Sequence, residues 1–390
     1  MPCNLLIAIL PGVTAPPVSV TATPQPRVKG VSDVYAQPSA AAQPASTDYL
    51  SQYTTLRLGG PAGRIVTAAS AEEIVARVRE AGPEILLLAG GSNVVIGDVG
   101  FPGTVVLVRS RGLRVIAEDE QTVTVRVEAG EPWDDLVAAT VRNGWSGVEC
   151  LSGIPGSTGA TPIQNVGAYG QEVAETITGV QVYDRAAGTV GRVAAADCGF
   201  AYRSSIFKYS ERWVVLSVDF RLTRSPRSGA VRYAELARSL DVGVGDRVPL
   251  AQARNTVLRL RAGKGMVLDP ADPDTRSVGS FFTNPVLDGA AYEMLRQRAA
   301  DLGEPPAWPG TGDMVKVSAA WLIDKAGFGK GYPGPEGVAI SSKHTLALTN
   351  PTGTATTQAL ITLAREIRDT VQARFAVPLH PEPVLINCTL

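Results

Sequence analysis

A chain of 390 residues exceeds what one average hydrophobic core serves and predicts two or three domains. With 45 % hydrophobic and 19 % charged residues the composition is that of an ordinary globular protein. A net charge of −1 gives no electrostatic case for nucleic acid or an anionic membrane as partner.

Residues 1–46 are set apart. Val13 to Pro44 is rich in Pro, Ala, Thr, Ser and Val and cannot bury enough surface to offset ordering entropy, so a disordered tail is expected. The apolar run Leu5 to Leu10 lacks a preceding basic segment, which argues against a secretory signal, and no apolar run reaches the length of a membrane span. Cys3, Cys150, Cys198 and Cys388 show no C-x-x-C spacing, so neither a disulfide framework nor a zinc site is expected, and a reducing cytoplasmic setting is.

From Thr47 the pattern becomes regular. Ser70-Ala71-Glu72-Glu73 is a capping-box signature opening a short helix that ends near Gly82. Ile85 to Leu88 reads as a buried strand stopped by Gly90-Gly91-Ser92-Asn93. Strands are predicted over Val105 to Val108 and Thr122 to Val127, and a helix over Glu131 to Asn143 with Pro132 in its first turn and Gly144 as its stop. Strands are then expected to dominate Val180 to Leu222, with turns at Ala187-Gly188 and Arg212. Helices follow over Leu250 to Arg261, Ala290 to Asp301, Ala319 to Ala326 and Thr356 to Phe375; the last carries a core stripe of Leu360, Leu363, Ala364, Ile367, Val371 and Phe375. A final strand is predicted over Val384 to Ile386. Helices and strands mixed without strict alternation predict α+β domains.

Two glycine-rich loops carry the first chemical signal. Gly90-Gly91-Ser92-Asn93 lies between strands, and Gly153-Ile154-Pro155-Gly156-Ser157-Thr158-Gly159-Ala160 continues through Gln164, Asn165, Gly167, Ala168 and Tyr169. Backbone N–H groups bared by glycines suit a pyrophosphate, yet neither loop has the G-x-G-x-x-G or Walker A pattern. Either alone reads as a turn; both in one chain make a dinucleotide held without a Rossmann fingerprint plausible.

The second signal is Gly279-Ser280-Phe281-Phe282-Thr283-Asn284-Pro285. Ser280 lacks the flanking glycine of a nucleophile elbow, and only His344 and His380 exist as bases. Its hydroxyl can instead protonate a carbanion, or merely close a turn. Arg203 also reads as a structural ion-pair residue and Glu382 as a loop end. The two histidines lack metal-ligand spacing, and no metal is expected.

These motifs, with Tyr202-Arg203-Ser204-Ser205-Ile206-Phe207-Lys208, Ser318 to Ile323 and Pro381-Glu382-Pro383-Val384, occur in one order that resembles the UDP-N-acetylenolpyruvoylglucosamine reductase (MurB) family. The resemblance spans Thr47 to Leu390. It implies a two-subdomain FAD-binding module of the vanillyl-alcohol-oxidase (PCMH) type over 47–263, completed by 377–390, and a substrate-binding domain over 264–376. It further implies NADPH as co-substrate, UDP-N-acetylglucosamine enolpyruvate as substrate, a cytoplasmic monomer, and a role in peptidoglycan synthesis. The two glycine loops would hold FAD. By motif position Ser280 would be the proton donor, with Arg203 and Glu382 at the substrate carboxylate. Tyr233, Lys264 and Asn284 would hold the diphosphate and sugar, with Lys316 toward the uridine. Tyr233 and Leu236 mark the subtype with a tyrosine loop. The residues around Ser342 to His344 do not align closely enough with the family to name a uracil reader. Another FAD oxidoreductase of the same fold, such as an alcohol or sugar-lactone oxidase, would be expected to lack the Gly279-Ser280-Phe281-Phe282 serine and the Pro381-Glu382-Pro383 end together, and a non-catalytic flavin- or UDP-sugar-binding protein to have lost Ser280, Arg203 or Glu382.

Overall fold

The structure, a computed structural model, describes residues 48–390; the expected tail, residues 1–46, lies outside the described residues. Strands Ala62–Ala68, Phe101–Val108 and Ile85–Leu88 form a parallel sheet in that order, with Val106 opposite both Val66 and Leu87. Helix Ala71–Ala81 packs on it through Ile74, Val75 and Val78. The predicted capping box is present: Glu73 N–H donates to Ser70 Oγ at 3.2 Å, and Ala69 N–H to the Glu73 carboxylate at 2.8 Å.

A larger antiparallel sheet runs Thr189–Ala194, Ile177–Asp184, Trp213–Arg224, Thr122–Glu128, Leu113–Glu118. In Thr122–Glu128 buried Val123, Val125 and Val127 alternate with half-buried residues, the period of a strand with one face in the core. Helix Trp133–Arg142 covers that face; the Trp133 ring meets Phe220 at 5.9 Å and its indole N–H donates to Leu151 O at 2.9 Å. The stretch predicted to be mainly strand from Val180 to Leu222 is interrupted by a long connection, 195–212, whose only regular piece is the single turn Ala195–Asp197. That connection carries Arg203. Strands Ala62–Ala68 and Leu113–Glu118 and helix Ala234–Leu240 have no counterpart in the sequence reading.

Beyond helix Leu250–Ala262 the chain builds two three-stranded sheets and the helices Gly289–Arg298, Ala319–Lys325 and Thr357–Phe375. The predicted stripe of the last helix, Leu360 through Phe375, is buried. Its N-terminus is tied to the parallel-sheet region, where the Asp98 carboxylate accepts the N–H groups of Thr357 and Gln358. Val384–Ile386 then returns to pair in parallel with Val94–Ile96. Among the described residues no helix is long and apolar enough to cross a membrane.

Candidate active site

The two glycine loops clasp each other. A Cβ on Gly90 would stand 2.6 Å from Gly156 Cα, and one on Gly91, at φ +61°, would stand 1.9 Å from Tyr53 O. Only glycine permits this backbone-to-backbone approach. Ser92 Oγ donates to Pro155 O at 3.0 Å. The second loop is fixed from below by Gly159 N–H on Ala129 O and Thr158 N–H on Glu131 O, both 2.8 Å. At its start Gly153 N–H donates to Asp134 Oδ1 at 2.6 Å, and Arg254 clamps the Asp134 carboxylate through two bonds of 2.7 Å.

Beside the loops opens a cleft of about 450 Å³, within the range of cofactor pockets. Its wall includes Gly90 to Asn93, Ile154 to Ser157, Gly159, Ala160, Gln164 and Gly167, and also Arg203, Ser280 and Glu382. The three residues expected to share a site therefore do share one cleft, from segments 77 and 102 residues apart in the chain.

How each arrives there is a matter of local backbone. Ser280 ends strand Ser277–Ser280, which pairs irregularly with Ala347–Thr349; Gly279, at φ +72°, supplies the bulge that turns Ser280 into the cleft. The two aromatics after it are fully buried and meet edge to face at 5.1 Å, which anchors the turn by roughly 1.5–3 kcal/mol each. Phe281 O then accepts Glu382 N–H at 2.8 Å, and His380 O accepts Thr283 N–H at 3.1 Å. A two-rung ladder thus docks the Pro381-Glu382 segment against the Ser280 turn.

Arg203 occupies the left-handed region at φ +53°, a conformation costing about 1–3 kcal/mol in a side-chain-bearing residue. Reciprocal backbone bonds between Ala201 and Ser204 hold it, as does Lys208 Nζ donating to Arg203 O at 3.0 Å. Its guanidinium donates to Gly167 O at 2.7 Å and Asn165 O at 3.3 Å, and its Nε lies 3.3 Å from Glu382 Oε1. Glu382 Oε1 also accepts Gln164 Nε2 at 2.8 Å, and Gln164 Oε1 accepts Asn93 Nδ2 at 2.8 Å. Burial lowers the Lys208 ammonium below its usual range, partly countered by Glu382.

Other residues assigned to the cofactor do not face this cleft. Gly153, Asn165, Ala168 and Tyr169 are absent from its wall. Asn165, at φ +44°, has its amide committed to Glu172, Ala201 O and Ala174 N–H, which makes it a loop brace. Tyr169 instead stands against Lys264, which lines a second recess. There Lys264 Nζ lies 5.7 Å above its ring, Tyr233 meets it edge-on at 5.6 Å, and burial pushes its phenol up to about 12. That recess, about 390 Å³, is lined by Glu235, Arg259, Lys264, Lys330, Lys343 and His344, and Lys264 pairs with Glu235 at 2.7 Å. Asn284 and Lys316 form a third group around Tyr202: Lys316 Nζ sits 4.9 Å above the ring, and Asn284 lies beside the phenol. Tyr202 precedes Arg203, and the Arg203 guanidinium also lies over its ring at 5.3 Å.

Arg261, Asp134 and Glu235 were not foreseen, since a charged residue inside a helix carries no motif. Arg261 bears on the cofactor. It lines the cleft and is nearly buried, with one bond to Met266 O, but its Nε has no partner among the described residues. Burial lowers its guanidinium to about 10. The N–H groups of Gly90, Gly91, Ser92 and Asn93 likewise meet no protein acceptor among the described residues. A buried, unpartnered cationic donor and a row of open N–H groups fit a bound pyrophosphate, and the apolar wall of Leu88, Val108 and Val384 fits an aromatic ring system.

Residues 62–194 match the profile of an FAD binding domain, and residues 270–386 that of the C-terminal domain of UDP-N-acetylenolpyruvoylglucosamine reductase. The UDP-N-acetylenolpyruvoylglucosamine reductase of Salinispora arenicola is 76 % identical over 358 residues, 91 % of this chain and 99 % of that one. That of Thermobifida fusca is 57 % identical, covering 87 % and 97 %. The crystal structure of the reductase from Thermus caldophilus is similar in fold, with a TM-score of 0.60 at 24 % identity over 87 % of this chain and 97 % of that one. With the motif order, the cleft and these full-length relatives in agreement, the chain belongs to the UDP-N-acetylenolpyruvoylglucosamine reductase family.

Proposed function

We propose that this protein reduces the enolpyruvyl ether of UDP-N-acetylglucosamine to UDP-N-acetylmuramate at the expense of NADPH, with FAD resident between the glycine loops. The observation that carries the reading is the meeting of Ser280, Arg203 and Glu382 in the cleft those loops border. FAD, when bound, supplies hydride chemistry, taking two electrons from NADPH and passing them to the methylene carbon of the ether. One proton must then reach the α-carbon for the C=C bond to become C–C.

The chain's own residues answer that need. As charge develops on the α-carbon and its carboxylate, Arg203 presents a fixed cation, its planar head already aligned by Gly167 O and Asn165 O. Ser280, aimed by the Gly279 bulge, donates its hydroxyl proton to the α-carbon. Glu382 shares the Arg203 head and borders the same carboxylate. Tyr233, Lys264 and Asn284 would receive the nucleotide diphosphate and sugar, with Lys316 toward the uridine; the placement of Tyr233 at the start of helix Ala234–Leu240, against Tyr169, supports the tyrosine-loop subtype. We take 47–263 with 377–390 as the FAD module and 264–376 as the substrate domain, a division supported by the pairing of Val384–Ile386 with Val94–Ile96. A cytoplasmic monomer is part of the same reading; the unpaired Cys150, Cys198 and Cys388 suit a reducing compartment.

Anaerobic mixing tests the proposal. NADPH should bleach the bound flavin, and the enolpyruvyl ether should restore its colour. Flavin that bleaches but stays bleached with the ether would overturn the reading. In Ser280→Ala the ether step should slow by about 10²–10⁴-fold while NADPH still bleaches the flavin; equal slowing of both steps would make Ser280 positional.

A further inference from the structure

The two amides that the motif reading gave to the cofactor, Asn93 and Gln164, are bonded to each other and to Glu382. Gln164 is nearly buried, and its two ends have fixed neighbours. Its Nε2 donates to Glu382 Oε1 at 2.8 Å, and its Oε1 accepts from Asn93 Nδ2 at 2.8 Å. Chemistry sets the direction of this chain. A carboxylate only accepts, so Gln164 must turn its NH₂ toward Glu382, and its carbonyl is left for a donor, which Asn93 provides. The same Oε1 faces Arg203 Nε at 3.3 Å. Two N–H donors therefore converge on one oxygen. Oε2 has no partner among the described residues, and Glu382 lines the cleft.

The ends of the chain are tied to the same scaffold. Asn93 O accepts Val384 N–H at 3.0 Å, two residues beyond Glu382, and Glu382 N–H is held by Phe281 O beside Ser280. Asn93, Gln164 and Glu382 come from three separate segments and are brought into line by these main-chain bonds.

We propose that Gln164, oriented by Asn93, is a positioning residue that fixes Glu382 so that Oε1 stays an acceptor and Oε2 alone is presented to the substrate. Any proton that Glu382 carries sits on Oε2. This rests on the function proposed above. Without the Gln164 donor the carboxylate is free to rotate and pair through both oxygens with Arg203, which takes the guanidinium from the substrate carboxylate.

Two variants of the FAD-loaded protein test the arrangement in stopped-flow measurements of its two half-reactions. Gln164→Met removes the donor at similar volume. Asn93→Asp inverts the chain without altering Gln164 or Glu382, because an acceptor at 93 draws the Gln164 NH₂ away and turns its carbonyl toward Glu382. In both, flavin reoxidation by the enolpyruvyl ether should fall about tenfold further than bleaching by NADPH, the loss of one hydrogen bond to a charged group. The double variant should be no worse than Gln164→Met, since inversion acts only through the glutamine. Equal losses in both half-reactions would overturn the proposal and return both amides to the cofactor. If Gln164→Met does not fold, Asn93→Asp carries the test. Should the wild-type flavin never be reoxidised by the ether, the proposed function fails; the positioning is then decided by a crystal structure of Asn93→Asp. There Glu382 should have left Gln164, and an unchanged Glu382 would overturn it.

Discussion

The two sides of the site are built on opposite plans. On the glycine-loop side main chain locks against main chain: Gly90 on Gly156, Gly159 N–H on Ala129 O, Thr158 N–H on Glu131 O. On the side proposed to receive the nucleotide, side chains hold one another: Lys264 with Glu235, Tyr233 with Tyr169, Lys316 with Tyr202. Lys264 and Glu235 are each 32 % exposed, so solvent weakens their attraction. Backbone contacts cannot be exchanged for a ligand, whereas exposed side-chain pairs can. A locked cradle suits a resident cofactor; exchangeable pairs suit two nucleotides that enter and leave in each turnover.

The comparison breaks first at Gly90. In Gly90→Val the new side chain meets Gly156 backbone, and neither loop can give way. The purified protein should lack flavin absorbance, its FAD affinity reduced by at least about 100-fold, or roughly 3 kcal/mol. Titration with added FAD checks it; retention of bound flavin would show that the clasp is not needed.

On the opposite side the effects should be smaller and unequal. Lys264→Ala should raise KM for NADPH and for the ether by about tenfold, since the charge-assisted phosphate contact proposed for Lys264 is lost. Glu235→Gln, which removes only the competitor for Lys264, should leave KM within about threefold or lower it. Equal increases in both variants would mean that the ion pair is itself needed and is not displaced.

The smallest effect concerns His344, half-buried in the second recess. Burial first, then the charges of Lys264 and Lys330, lower its imidazole to about 4. The unfolded chain, with an ordinary value near 6.5, takes up the proton first. Stability from a neutral His344 is therefore complete above about pH 6.5 and is lost as pH falls toward about 4. His344→Gln should remove this sensitivity, so that Tm drops about 2–4 °C less than in wild type between pH 7 and 4. Parallel Tm curves for the two proteins would show that His344 titrates normally.

Much was legible without coordinates because it is local. The Ser70 cap, the stripe of Thr357–Phe375, the strand Val384–Ile386 and the order of the motifs depend on residues a few positions apart, and hydrophobic period or capping chemistry reports them directly. Strand Leu113–Glu118 escaped because it is a mostly exposed sheet edge without the alternation of a half-buried strand, and the connection 195–212 was overrun by apolar residues read as strand. Tertiary structure decided the rest. That Val384–Ile386 lies beside Val94–Ile96, that Gly279 bulges to aim Ser280, and that Asn93 bonds Gln164 and Gln164 in turn bonds Glu382 all depend on segments far apart in the chain. Such meetings are selected by the closure of the whole fold. The sequence by itself determined which residue types the chemistry has available; only the packing of three separate segments decided which oxygen of Glu382 faces the cleft.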